Sequence, residues 1–172
     1  FNAEGYTVNP VIISPERKKL LNRNLMLFFT GFSRFSSDIQ VAAEKNLKSK
    51  QNQLLEMLSL VDDAEKILTS KTDLEEFGRL LDYTWQLKRG ITDKVSTDSI
   101  DAVYSRALQA GATGGKLLGA GGGGFLLFYV DPDKQENVRK ALENLLYVPF
   151  EFENGGTRVI HTGQIGRASC RE

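Results

Sequence analysis

An α+β fold, with helices on one face of a mostly antiparallel sheet, is predicted by three features of this 172-residue sequence. Apolar runs of strand length stand near both ends, a long block of helical periodicity separates them, and a glycine-dense segment leads directly into one of the runs. Apolar residues make up 41%, and 22 basic side chains balance 22 acidic ones, as in ordinary globular domains. One domain, residues 1–162, fits this length.

Residues 6–13 read as a strand ending at Ser14-Pro15, and residues 24–30 (NLMLFFT) as a second strand, almost wholly apolar and therefore buried. From Ser36 the period changes. Ile39, Ala43 and Leu47 recur at helical spacing, and after the polar residues 48–53 the pattern resumes at Leu54, Leu58, Val61 and Leu68. One helix over that span would reach about 50 Å at roughly 1.5 Å per residue, too long for a domain of this size. Two helices with a break near Ser49 are expected instead.

Thr72 and Glu75 have the spacing of a capping box ahead of Leu74, Phe77, Leu81 and Trp85, with Gly90 as the stop. Thr97 opens the next helix with Asp98 and Asp101 in its first turn, and Gly111 stands just past its end. Residues 125–130 (FLLFYV) form a strand, and Asp131-Pro132 supplies the N-cap and first position of a helix running to about Leu145. Residues 147–152 and 158–162 read as two closing strands joined at Asn154-Gly155-Gly156. Residues 163–172 (GQIGRASCRE) have no periodicity and read as a loose tail or an appended remnant. The core order strand, helix, strand, strand, helix, strand is the ferredoxin-like arrangement, here with extra helices inserted.

Composition narrows the function classes. A balanced charge leaves no nucleic-acid footprint, and no apolar run approaches the roughly 20 residues that span a bilayer. With no secretory pattern at the start, the cytoplasm is the default location, and neither nucleic acid nor membrane is an expected partner. The lone Cys170 forms no intrachain disulfide, and with His161 the only histidine no Cys/His metal cluster can be assembled. Serine–histidine hydrolysis has no motif to support it. No metal ligand is assigned.

Function concentrates instead in residues 111–124 (GATGGKLLGAGGGG), which hold eight of the sixteen glycines. Glycine costs conformational entropy and buries no side chain, so this density calls for positive φ or close backbone approach. A phosphate group supplies such a reason, because main-chain amides with no Cβ in the way can converge on an anion. No G-K-[ST] opens a helix and no strand–GxGxxG–helix order occurs, so neither a Walker A loop nor a Rossmann fingerprint is present. A glycine-rich hairpin needed only for close packing is the competing reading.

Residues 116–124 (KLLGAGGGG) resemble the third, C-terminal signature of the GHMP small-molecule kinases, the family of galactokinase, homoserine kinase and mevalonate kinase. The resemblance implies a ferredoxin-like C-terminal domain whose glycine loop lies against the ATP phosphate loop of an N-terminal domain. It assigns Lys116, Gly119, Ala120, Gly121, Gly122, Gly123 and Gly124 to the nucleotide, with ATP and Mg held mainly by that other domain. Residues 28–34 (FFTGFSR), 85–90 (WQLKRG) and Ser96-Thr97 further resemble the branch that phosphorylates the anomeric hydroxyl of D-glycero-D-manno-heptose 7-phosphate. Together these matches cover roughly residues 5–161.

The resemblance makes Arg34, Lys88 and Arg89 candidates for gripping the sugar phosphate. Each has a plainer alternative: an ion pair with Asp38 for Arg34, and complementing the dipole at a helix end for Lys88 and Arg89. Lys116 is either a charge near phosphate or a solvated lysine at a loop edge. Trp85, on the stripe with Phe77 and Leu81, is read as core. Leu118 stands where the wider family commonly has Thr, so any hydroxyl contributed there is lost.

The family's P-x-x-x-G-L-G-S-S-A phosphate loop is nowhere in the sequence. The resemblance therefore implies the C-terminal half of a kinase, inactive alone, whose partners are its own N-terminal domain and a sugar phosphate; no catalytic residue is assigned. Helical faces that would meet the companion domain are expected to be apolar, which favours self-association as a homodimer. The reading from a different class is a stand-alone ferredoxin-like module that binds a ligand or partner without catalysis.

Overall fold

The computed structural model of the protein describes residues 5–31 and 36–155. Its elements in chain order are α1 (Pro15–Asn24), β1 (Leu25–Phe29), α2 (Ser36–Asn46), α3 (Gln51–Thr69), α4 (Glu75–Arg89), α5 (Asp98–Gln109), β2 (Gly114–Leu117), β3 (Phe125–Tyr129), α6 (Gln135–Ala141) and β4 (Leu146–Tyr147). The strands form one antiparallel sheet in the order β2-β3-β1-β4. This is an α+β fold with the expected succession of strand, helices, strand, strand, helix, strand.

Successive strand residues face opposite sides of a sheet, which locates two apolar clusters. Met26, Phe28, Leu126 and Phe128 meet Ile100, Val103, Tyr104 and Ala107 of α5 and Val138 of α6. Leu25 and Tyr129, on the other side, meet Leu21 of α1 and Leu74 and Leu81 at α4. Helices thus flank both faces, where the sequence reading placed them on one. The reason is visible in β1 itself: LMLFF has no polar alternation, as expected of a strand covered on both sides. Each large apolar side chain so buried contributes about 1.5–3 kcal/mol relative to exposure.

Helix α4 runs along β2. A Cβ on Gly114 would lie 2.1 Å from the Gly78 carbonyl oxygen, so strand and helix backbones are in direct contact. The outward-facing N–H of Gly115 donates to the Tyr104 hydroxyl at 3.2 Å, and that hydroxyl donates to Asp82 Oδ1 at 2.5 Å. A phenol has one proton, and the carboxylate is the stronger acceptor. Burial, followed by the Asp82 hydrogen bond, raises the Tyr104 pKa far above its usual value.

Several local expectations are corrected. Residues 6–14 carry no regular element, and Tyr6, Val8 and Ile12 are exposed; an apolar alternation makes a strand only when an edge is there to pair with it. Ser14-Pro15 is a helix start, not a strand end: Ser14 Oγ accepts from Arg17 N at 3.1 Å and Pro15 occupies the first turn of α1. The Thr72/Glu75 capping box does not form. Ser70 Oγ donates to Thr72 Oγ1, while Asp73 Oδ1 accepts from Glu75 N at 3.0 Å.

Asp131 does not cap α6 either. Its carbonyl accepts from Lys134 N at 2.9 Å, so a turn precedes the helix, which ends at Ala141. The break between α2 and α3 falls at residues 47–50, and Thr97 caps α5 through Ile100 N, as expected. Strand β4 is only Leu146–Tyr147, shorter than the predicted 147–152. The strand at 158–162, the far side of its turn, His161 and the tail 163–172 lie outside the described residues. Among the described residues no helix is long and apolar enough to cross a membrane.

Candidate functional site

Residues 118–124 join β2 to β3 and carry the predicted glycine loop. Its two ends are fixed by the sheet. Leu118 N donates to Phe125 O at 2.8 Å, and Thr30 N to Gly124 O at 2.8 Å, while Gly124 N returns a bond of 3.1 Å to Thr30 Oγ1. Its middle is held by α5's approach segment, where Gly122 N donates to Val95 O at 2.9 Å. Gly121, at φ +127°, lies against Val95 so closely that a Cβ would sit 2.8 Å from the Val95 carbonyl oxygen. Gly119, at φ +79°, faces open space. Among the described residues the amides of Gly119, Ala120, Gly121 and Gly123 donate to nothing.

One lysine reaches this loop and a second lies close to it in charge. Lys88, in the last turn of α4, directs its ammonium at Gly119 O, 2.5 Å away, and at Leu117 O, 3.4 Å away. Lys116 reaches the same region from β2, on the strand face that pairs with Leu127. Burial first, and then the nearby Lys116 charge, push the Lys88 pKa down to about 8; burial also lowers that of Lys116. Neither lysine pairs with a described carboxylate.

Arg89 points elsewhere. Its Nη2 binds Asp101 Oδ2 at 2.6 Å, and Ser96 Oγ donates to Asp101 Oδ1 at 2.6 Å. These groups line a separate concavity of about 470 Å³ with Thr97 and Asp98. Arg34 lies outside the described residues. Trp85 is fully buried, its ring centroid 6.1 Å from that of Tyr104, so it serves the core.

The structure therefore brings Lys88 onto residues 119–124, with the Lys116 charge near it, and separates Arg89 from them. Sequence reasoning missed Thr30 and Val95, which hold the loop in place. For Thr30 the signal exists only after pairing: Phe29 opposite Phe125 sets Thr30 opposite Gly124. Chemically, uncommitted amides beside two cations suit a phosphate group. Among the described residues no cluster of three His, Cys, Asp or Glu side chains is placed to hold a metal ion.

Comparison with known proteins gives the family. A family model for the C-terminal part of GHMP kinases matches residues 57–148. A D-glycero-alpha-D-manno-heptose 7-phosphate kinase of Campylobacter jejuni is 33% identical over 162 residues, covering 92% of this chain and 48% of the relative. A mevalonate kinase of Pyrococcus abyssi is 32% identical over 126 residues, covering 69% of this chain and 37% of the relative. The solved mevalonate kinase of Methanococcus jannaschii superposes with a TM-score of 0.65 at 23% identity, over 79% of this chain and 42% of that one, a likeness of fold. The chain thus spans less than half the length of each.

Proposed function

Since the chain belongs to the GHMP kinases and matches the C-terminal part of that family, we propose that residues 1–162 form the C-terminal, ferredoxin-like domain of an ATP-dependent sugar kinase. Residues 163–172 lie outside that domain. The acceptor on this reading is the anomeric hydroxyl of D-glycero-D-manno-heptose 7-phosphate, supported by the relative of that activity that aligns with 92% of the chain. The observation that carries the proposal is the loop with four uncommitted amides, held from Thr30 and Val95 and flanked by Lys88 and Lys116.

Phosphoryl transfer depends mostly on positioning and on neutralising spread negative charge. ATP supplies the transferred group, with Mg held mainly by an N-terminal domain. This chain's part is to present Gly119, Ala120, Gly121 and Gly123 amides to phosphate oxygens and to keep the loop from collapsing onto α5. Gly122 and Gly124 spend their amides on Val95 and Thr30, and so position the others. Arg89, neutralised by Asp101, orients the start of α5 on this reading, and Arg34 remains a candidate for the sugar phosphate. The working location is the cytoplasm, where ATP is made available.

The test uses the full-length protein that contains this chain. Incubation with ATP and heptose 7-phosphate yields the 1,7-bisphosphate, and Gly121→Val, whose Cβ must push the loop off Val95 and carry its amides out of place, lowers kcat/KM at least about 10-fold, the scale of losing a phosphate-stabilising donor. No product with the heptose, but turnover of mevalonate, would transfer the assignment to an isoprenoid acceptor, the reading favoured by the 32% identical mevalonate kinase. No turnover with either acceptor overturns the kinase reading.

A further inference from the structure

We infer that Lys88 and Lys116 act together as one dicationic seat for a phosphoryl group bearing two negative charges, set beside the glycine loop. The inference deepens the kinase reading and rests on it for the carrier of that group. Geometry separates this pair from the other cations nearby. Arg89 already faces Asp101 at 2.6 Å, so its charge is balanced within the protein. Lys88 is fixed by two carbonyl oxygens, which orient an ammonium without cancelling its charge. Lys116 has no described hydrogen-bond partner to hold it elsewhere.

A lone surface lysine swings into water at little cost. Here two lysines are half-buried, Lys88 reaching the carbonyl of Leu117, the residue next to Lys116, where like charges repel and lose hydration. Helix α4 adds no carboxylate to the pair, β2 contributes Lys116 itself, and the loop offers main chain only. A doubly charged anion removes the repulsion, and the free N–H of Lys88, Lys116 and the loop amides provide its hydrogen bonds. A singly charged or neutral ligand would leave one cation uncompensated.

Both a nucleotide's terminal phosphoryl and a sugar's phosphate monoester have this chemistry, and experiment separates them. The full-length protein carrying ¹³C,¹⁵N-labelled lysine, which leaves every ammonium N–H in place, is titrated with inorganic phosphate. The Lys88 and Lys116 resonances should move with one shared dissociation constant, and the Lys88 pKa should rise by at least one unit from about 8. Phosphate that moves neither resonance, or only one, overturns the seat. This readout needs no turnover, so the seat can stand where the kinase reading fails, and fail where it stands.

Lys88→Met and Lys116→Met should each weaken phosphate at least tenfold, and the double variant little more than either alone. Lys88→Arg should restore most of the loss. In turnover assays a rise in KM for ATP assigns the seat to the nucleotide, and a rise in KM for the sugar phosphate assigns it to the acceptor. Both KM values unchanged in variants with wild-type circular dichroism overturns the inference.

Discussion

Gly114 and Gly119 stand five positions apart in one glycine-rich stretch and answer opposite needs. At Gly114 there is no room: a Cβ would lie 2.1 Å from the Gly78 carbonyl, because α4 rests on the backbone of β2. At Gly119 there is all the room a side chain needs, with nothing within 4 Å, but φ is +79°. One glycine is selected by contact and the other by torsion. Glycine density alone therefore does not announce a ligand. The packing reading accounts for Gly114, and the turn at Gly119 to Gly123 is where the uncommitted amides lie.

Substitutions at the two ends can break this contrast. Gly114→Val should be the most damaging: backbone cannot yield as a flexible side chain does, and a loss of about 3 kcal/mol or more is expected in chemical denaturation. A loss near zero would mean that helix and strand are not in contact. Gly121→Val combines torsion with the Val95 contact, and should cost about 1–3 kcal/mol in stability. Gly119→Ala meets only the torsional penalty, about 1–2 kcal/mol, and comparison of the two isolates the Val95 contribution.

Thr30→Val sharpens the contrast on the loop's anchored side. It leaves the Gly124 amide without its 3.1 Å acceptor, and about 1 kcal/mol is expected, read as faster hydrogen exchange at that amide. The smallest effect is one of pH. Between about 8 and its ordinary 10.5, the unfolded chain keeps a proton on Lys88 that the folded chain has released. Stability contributed by this group therefore rises with pH across that window, and Lys88→Met should flatten the slope. An unchanged slope would place the lysine in water.

Legibility followed periodicity. α3, α4 and α5 repeat apolar residues over several turns, and β1 and β3 are short unbroken apolar runs, so both signals survive without neighbours. α1 was hidden because PERKKLLNRN buries only Leu21 and Asn24, too few positions to establish a period. β4 has two residues, below the length at which any alternation can be seen. In the candidate site, the loop was legible from composition and Lys88 and Lys116 were named, but the parting of Lys88 from Arg89 was not. Lys88 and Arg89 look like one basic pair in the sequence. Consecutive helix positions point about 100° apart, so one reaches Gly119 O and the other Asp101.

The rim of β2 carries a further consequence. Exposed strand rims are templates on which a neighbouring molecule can lay its own extended segment, the first step toward fibrous aggregates. Here Tyr104 occupies Gly115 and Lys88 meets the Leu117 carbonyl, so part of that rim's outward main chain is engaged by side chains of the same molecule. Tyr104→Phe removes the first of these contacts, a single hydroxyl that ties α4 and α5 to the covered rim of β2.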